Sequence, residues 1–234
     1  ALQERGHDIV VSTVDPDLFG GERRVNGIVH SLSAAEDLAL WARQIAELAS
    51  GVDVILGYYA SLGGAAGVYA SSICGVPAVV ALRGNDIDRE GLDPTRLPIV
   101  RQAVTEAAAV TAVSSQMAQT AERLFLREVG FVSNSVDTTQ FVANPDGAAA
   151  LRRKLELDER PVLGLFGEFK AKRGLDRLAA WGDALQDFQL LLFGNVRPAV
   201  REFVPATARV VPALYGTELC AAYTLCDAVL QPSH

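Results

Sequence analysis

The sequence predicts an α/β protein built from two parallel sheets, and three observations predict it. Short apolar runs rich in β-branched residues alternate with amphipathic stretches, glycine or turn residues punctuate the changes, and the rhythm stalls once, between Asn134 and Pro161. Such alternation is what a parallel sheet requires, because parallel neighbours cannot be joined by a tight turn and need a crossover, usually a helix.

Strands are expected at residues 8–13, 52–56, 78–82, 110–113 and 129–132, and after the stall at 162–166, 188–193, 209–211 and 228–230. Ser33-Ala34-Ala35-Glu36 reads as a capping box opening a helix with Leu38, Trp41, Ile45 and Leu48 on its apolar face, closed by Gly51. A second helix begins near Gly63 and ends at Gly75, with Pro77 launching the next strand. In the stalled stretch, Asn144-Pro145-Asp146-Gly147 reads as a turn, and residues 151–157 as a charged, isolated helix. The expected organisation is therefore a first domain over 1–140, a linker over 141–160 and a second domain over 161–234.

Composition bounds the function. Half of the 234 residues are hydrophobic and 21% are charged, enough apolar surface for a substantial core. The net charge of −7 argues against nucleic acid, which favours a basic surface. Cys74, Cys220 and Cys226 are odd in number, lack C-x-x-C spacing and sit among apolar residues, as free thiols in a reducing cytoplasm would. No apolar run approaches the ~18 residues needed to span a bilayer, so any membrane contact is expected to be peripheral.

In parallel sheets ligands bind beyond the carboxyl ends of the strands, so the loops that follow strands carry the functional information. The richest is Gly167-Glu168-Phe169-Lys170-Ala171-Lys172-Arg173-Gly174, a basic turn between a strand and a helix start. Clustered cations beside free N–H groups suit a diphosphate. The loop has neither G-x-x-x-x-G-K-[ST] nor G-x-G-x-x-G, which disfavours a P-loop nucleotidase and a nicotinamide dehydrogenase. A second loop, Arg83-Gly84-Asn85-Asp86-Ile87-Asp88, sets an arginine and two carboxylates at a strand end. Asp86-Ile87-Asp88 spells a D-x-D by which carboxylates hold a divalent metal, but Asp15-Pro16-Asp17 spells it too. We expect no metal, and a turn or cleft role for Asp86. Gly57-Tyr58-Tyr59, Asn134-Ser135-Val136-Asp137 and Gly194-Asn195 are weaker signals, since glycines after parallel strands serve first to turn the backbone. No histidine lies in a pattern that supports a catalytic triad or a metal site.

Taken in order, these segments resemble glycosyltransferase family 4. The elements are Gln3-Glu4-Arg5-Gly6-His7-Asp8, Gly75-Val76-Pro77 with Arg83-Gly84-Asn85-Asp86, and Asn134-Ser135-Val136-Asp137 with Phe141. The second half adds Phe166-Gly167-Glu168-Phe169, Lys172-Arg173-Gly174-Leu175, and Tyr223 followed by Cys226-Asp227-Ala228-Val229-Leu230-Gln231-Pro232-Ser233. The resemblance implies the GT-B architecture, two Rossmann-like domains facing a cleft, and transfer of a sugar from a nucleoside diphosphate sugar to a hydroxyl acceptor with retention. It implies donor contacts at Gly167, Glu168, Lys170, Lys172, Arg173, Gly194, Asn195 and Tyr215, and acceptor-side positions at Tyr58, Tyr59, Arg83, Gly84 and Asp86. No cofactor is implied.

Two departures accompany it. The resemblance implies an arginine directly after the first glycine and a lysine directly before the last, where this chain has Glu168 and Arg173. It also implies a first strand before Ala1 and paired glutamates after His234, so that both domains are expected to be incomplete, the catalytic carboxylates to be missing apart from Asp86 as a weak candidate, and the 234 residues alone to be inactive. The alternatives are a sugar-nucleotide epimerase or hydrolase of the same fold, and a non-catalytic sugar-nucleotide-binding protein.

Overall fold

The computed structural model describes residues 3–14, 21–25, 28–33 and 37–233. The chain divides into two compact units, Ala1–Asn134 and Ser135–His234, and each carries its own parallel sheet with helices packed against it. Asp15-Pro16-Asp17 and most of the expected capping box, residues 34–36, lie outside the described residues.

In the first unit, β1 (Val10–Val14) runs parallel to β3 (Ile28–Ser33), and β3 pairs antiparallel with β2 (Gly21–Val25). The β2–β3 pair is absent from the sequence expectations. Its signal was there to read, for Asn26-Gly27 separates the two runs and is the commonest two-residue hairpin dipeptide. The capping-box expectation is corrected as well. Ser33 ends β3, and the helix α1 (Leu38–Leu48) is capped by Asp37, whose carboxylate accepts the Ala39 N–H at 2.8 Å. The expected apolar face does hold: Trp41 reaches β1 by donating Nε1–H to Ser12 Oγ at 2.9 Å.

Four strands, β4 (Ile55–Tyr58), β5 (Ala78–Leu82), β6 (Ala109–Ala112) and β7 (Gly130–Phe131), form a parallel sheet in sequence order. Their crossovers carry α2 (Ala65–Cys74), α3 (Leu97–Glu106) and α4 (Ser115–Phe125). Gly75 ends α2 in a left-handed conformation (φ +77°), and Ser114 caps α4 through the Met117 N–H. Val80, Leu82, Val100 and Val104 are fully buried between sheet and helices. β1, α1 and β4 line a cavity of about 690 Å³, with Val10 and Leu56 half-exposed to it.

In the second unit, α5 (Pro145–Lys154), β8 (Val162–Phe166), α6 (Leu175–Trp181), β9 (Gln189–Phe193), β10 (Arg209–Val211), α7 (Gly216–Leu225) and β11 (Ala228–Val229) follow in order. The sheet is parallel throughout, in the order β10-β9-β8-β11. Continuous apolar runs suit strands buried on both faces. Leu163, Leu165, Leu190 and Leu192 point to the side of α6, while Val162, Leu191 and Phe193 point to the side of α5 and α7. The helix read as isolated over 151–157 is instead α5, and it is packed. Asn144 is its N-cap rather than part of a free turn, Pro145 takes the first helical position, and Ala148 and Leu151 meet Ala222 and Leu225.

All three cysteines are free thiols, and burial pushes the Cys226 thiol up to about 11, so it is unreactive at neutral pH. Among the described residues no helix is long and apolar enough to cross a membrane.

Leu178 is fully buried in the α6-side core. Leu178→Ala is expected to remove ~2–5 kcal/mol from the second unit, measured by hydrogen exchange as lost protection at the amides of β8 and β9.

Candidate functional site

The sequence-expected site residues gather at the carboxyl ends of strands, in one cluster per unit. In the first unit Tyr58 closes β4, and Tyr59 (φ +67°) opens a π-helical turn, Tyr59–Gly64. Glycines make this turn sterically feasible, since a Cβ on Gly57 would stand 2.3 Å from the Gly63 carbonyl oxygen. Both tyrosine rings remain half-exposed. Arg83, directly after β5, lays its guanidinium over the Tyr58 ring at 4.7 Å from the centroid and donates from Nη1 to Asn134 Oδ1. Its Nε is buried and without a hydrogen-bond partner among the described residues. Gly84 is exposed and in a left-handed conformation (φ +52°).

Asp86 is 1% exposed. Its carboxylate accepts the Arg83 N–H at 2.7 Å and a backbone N–H at Ala60, and so joins the loop after β5 to the turn after β4. Burial pushes its carboxyl up to about 6, the two backbone donors oppose that shift, and Glu90, held by Ser61 Oγ, adds to it. Asp88 is exposed while Asp86 is spent on backbone, and Ile87 between them is buried in the core, so the D-x-D triplet acts as a loop anchor. Among the described residues no three His, Cys, Asp or Glu side chains gather as metal ligands would.

In the second unit the loops after β8 and β9 are pressed together. A Cβ on Gly194 (φ +143°) would stand 1.9 Å from the Gly167 carbonyl oxygen, and Gly167 itself holds φ +114°. Gly167 donates its N–H to Phe193 O at 3.0 Å, Phe169 N–H reaches Asn195 O at 2.8 Å, and Arg197 N–H returns to Phe169 O at 2.9 Å. Phe169, 2% exposed, plugs the core beneath. The basic residues follow in a short 3₁₀ turn, Ala171–Arg173, and Gly174 (φ +70°) passes the chain into α6. Arg173 turns its guanidinium back over the loop, with Nη2 3.3 Å from where a Gly167 Cβ would be and a buried Nε that has no hydrogen-bond partner among the described residues. Lys170 and Lys172 are exposed. Asn195 is exposed beside the buried Gly194, and Tyr215, 77% exposed, precedes α7.

Glu168 is not a bare anion beside this cradle. Arg197 donates Nε–H to its Oε1 at 2.6 Å and sets Nη2 in ion-pair contact with the same oxygen, while Lys170 Nζ binds Oε2 at 3.1 Å. Arg197 first and Lys170 second hold its carboxyl below the usual range. The sequence reading missed Arg197, although Gly194-Asn195-Val196-Arg197 follows a strand just as the basic loop does. Asn134, which fixes Arg83, was noticed only as part of a weaker motif, and its 51-residue separation from Arg83 hid the pairing.

Comparison with known proteins gives this geometry a context. Residues 1–135 match the model of a family described as a glycosyl transferase 4-like domain. Sucrose-phosphate synthase from Thermosynechococcus elongatus superposes with a TM-score of 0.76 at 18% identity, over 99% of this chain and 67% of that one. The catalytic domain of starch synthase IV from Arabidopsis thaliana, bound to ADP and acarbose, gives 0.66 at 16% identity, over 99% of this chain and 72% of that one. HepE from Anabaena in complex with UDP-glucose gives 0.65 at 17% identity, over 86% of this chain and 60% of that one. The chain thus spans only part of each. At these identities the likeness establishes the fold, two Rossmann-like domains of the GT-B kind. No curated protein sequence matches the chain.

Asp86 generates a pH prediction. Its folded pKa of about 6 lies above the ordinary 3.8, so the folded state holds this proton more tightly than the unfolded chain. Its stabilising contribution is complete below 3.8 and is lost as pH rises through about 6. Urea unfolding of wild type and Asp86→Asn should therefore give a stability difference that changes across this window and is flat above it.

Proposed function

Because the chain belongs to the glycosyl transferase 4-like family, we propose that it transfers a hexosyl group from a nucleoside diphosphate sugar to a hydroxyl acceptor with retention at the anomeric carbon. The observation that carries the reading is the cradle of the second unit. Gly194 lets the neighbouring strand end close onto Gly167, which is exposed, and Arg173 stands over Gly167 with a buried nitrogen that has no hydrogen-bond partner among the described residues. A buried polar atom without a partner is costly, and phosphate oxygens are well matched to a guanidinium fork. Since α6 has only seven residues, side-chain charge rather than a long helix dipole is the main attraction for an anion here.

The chemistry follows from where charge develops. As the glycosidic bond to the diphosphate breaks, negative charge grows on the leaving oxygen, and a cation fixed beforehand stabilises that transition state more than the ground state. Arg173 fills this role, with Lys170 and Lys172 contributing to the field. Tyr215 and Asn195, both exposed, are assigned to the nucleotide side of the donor. The acceptor side is assigned to Tyr58, Tyr59, Arg83 and Gly84, with Asp86 holding their two loops in register rather than transferring protons. No cofactor takes part. We place the protein in the cytoplasm, where its three free thiols would stay reduced, with peripheral membrane contact if the acceptor is lipid-linked.

UDP-glucose, the ligand of the HepE complex, is the first donor to test. The protein should release UDP from UDP-glucose faster when a hydroxyl acceptor is present, and a retained anomeric configuration in the product, read by NMR, supports the mechanism. Release that ignores every acceptor offered would favour hydrolysis instead. Arg173→Ala should weaken UDP binding by about 1.5–3 kcal/mol, the contribution of a charged hydrogen bond, in calorimetric titration. An unchanged dissociation constant removes Arg173 from the donor site.

A further inference from the structure

We propose that Arg197, held in place by Glu168, is a second contact for the donor diphosphate, so that positive charge enters this site from the loop after β9. The inference rests on the donor-binding reading above and deepens it.

Four observations lead to it. Glu168 directly follows the Gly167 cradle, where an uncompensated carboxylate would repel a diphosphate. Each of its oxygens is instead occupied by a cation, Arg197 on Oε1 and Lys170 on Oε2, which leaves the three groups with one net positive charge. The backbone of Arg197 is fixed relative to the cradle, because its N–H bonds to Phe169 O and Val196 bridges to Phe169. Finally, Glu168 engages Nε and Nη2, and the Arg197 side chain is 62% exposed, so that among the described residues Nη1 keeps its donors for a ligand. An ion pair this exposed adds little to folding stability. Its consequence lies in the field beside Gly167, where it turns a residue of the wrong sign into the mount for an arginine. Glu168 is thus a positioning residue, and Arg197 the group that meets phosphate.

Titration calorimetry with UDP, and with uridine as the phosphate-free probe, tests this on the full chain. Arg197→Gln should raise the UDP dissociation constant roughly ten- to hundredfold, the range for one charged hydrogen bond, and leave uridine binding and the thermal midpoint unchanged. The reversed pair, Glu168→Arg with Arg197→Glu, should recover most of the UDP affinity, because it mounts a guanidinium on the neighbouring loop. Equal UDP affinity in wild type and Arg197→Gln overturns the inference while leaving the donor site standing. So does a parallel loss of UDP and uridine, which would make Arg197 a purely structural brace. If wild type itself binds UDP no better than uridine, the diphosphate reading of the whole site falls and this inference with it.

Discussion

The contact on which the loops after β8 and β9 depend is backbone on backbone: the Gly194 α-carbon lies against the Gly167 carbonyl, where a β-carbon would have only 1.9 Å. Strands of a parallel sheet are spaced by their hydrogen bonds, but the loops beyond them separate unless something allows close approach. Here two glycines with positive φ allow it, and the ladder continues past the named strands through Phe169, Asn195 and Arg197. The charged side chains beside Gly167 are mounted on that extension. Arg173 folds back over Gly167, Glu168 meets Arg197 across the two loops, and Phe169 anchors both to the core.

The first unit solves the same problem with a different device. Gly57 and Gly63 allow the π-helical turn to fold tightly onto the end of β4, and a buried carboxylate ties that turn to the loop after β5. Asp86 is an uneconomical choice for stability alone, since its ionised form is opposed by burial. It gives two loops a shared acceptor, and with it a defined spacing between Arg83 and the tyrosines that precede Ala60. Arg83 is further restrained by the Tyr58 ring and Asn134. Side chains fixed this way lose little freedom when a ligand arrives, which is the usual route from a rigid sheet end to selective binding.

The solved structures agree on the fold, and the family match places the chain among glycosyl transferase 4-like domains. Within that class this chain departs in the sign of one residue. Glu168 stands where the family resemblance implies an arginine, and the neighbouring loop answers with Arg197. A local reading of the basic loop sees an isolated carboxylate there, whereas the paired loops set Arg197 and Lys170 against it.

By itself the sequence determined the layout. Apolar runs bounded by turn residues located β5, β8 and β10 to the residue, and for β5 and β8 the run is continuous because strands buried on both faces must be apolar throughout. It determined the basic loop and its place after β8 for the same reason. It left the β2–β3 pair out and read α5 as an isolated charged helix, since the partner of Ala148 and Leu151, α7, lies some seventy residues on. Only the tertiary structure decided which distant groups meet. Asp86 with Ala60, Arg83 with Asn134 and Glu168 with Arg197 are pairings across loops of separate strands, and local periodicity carries no information about which loops a sheet's strand order sets side by side.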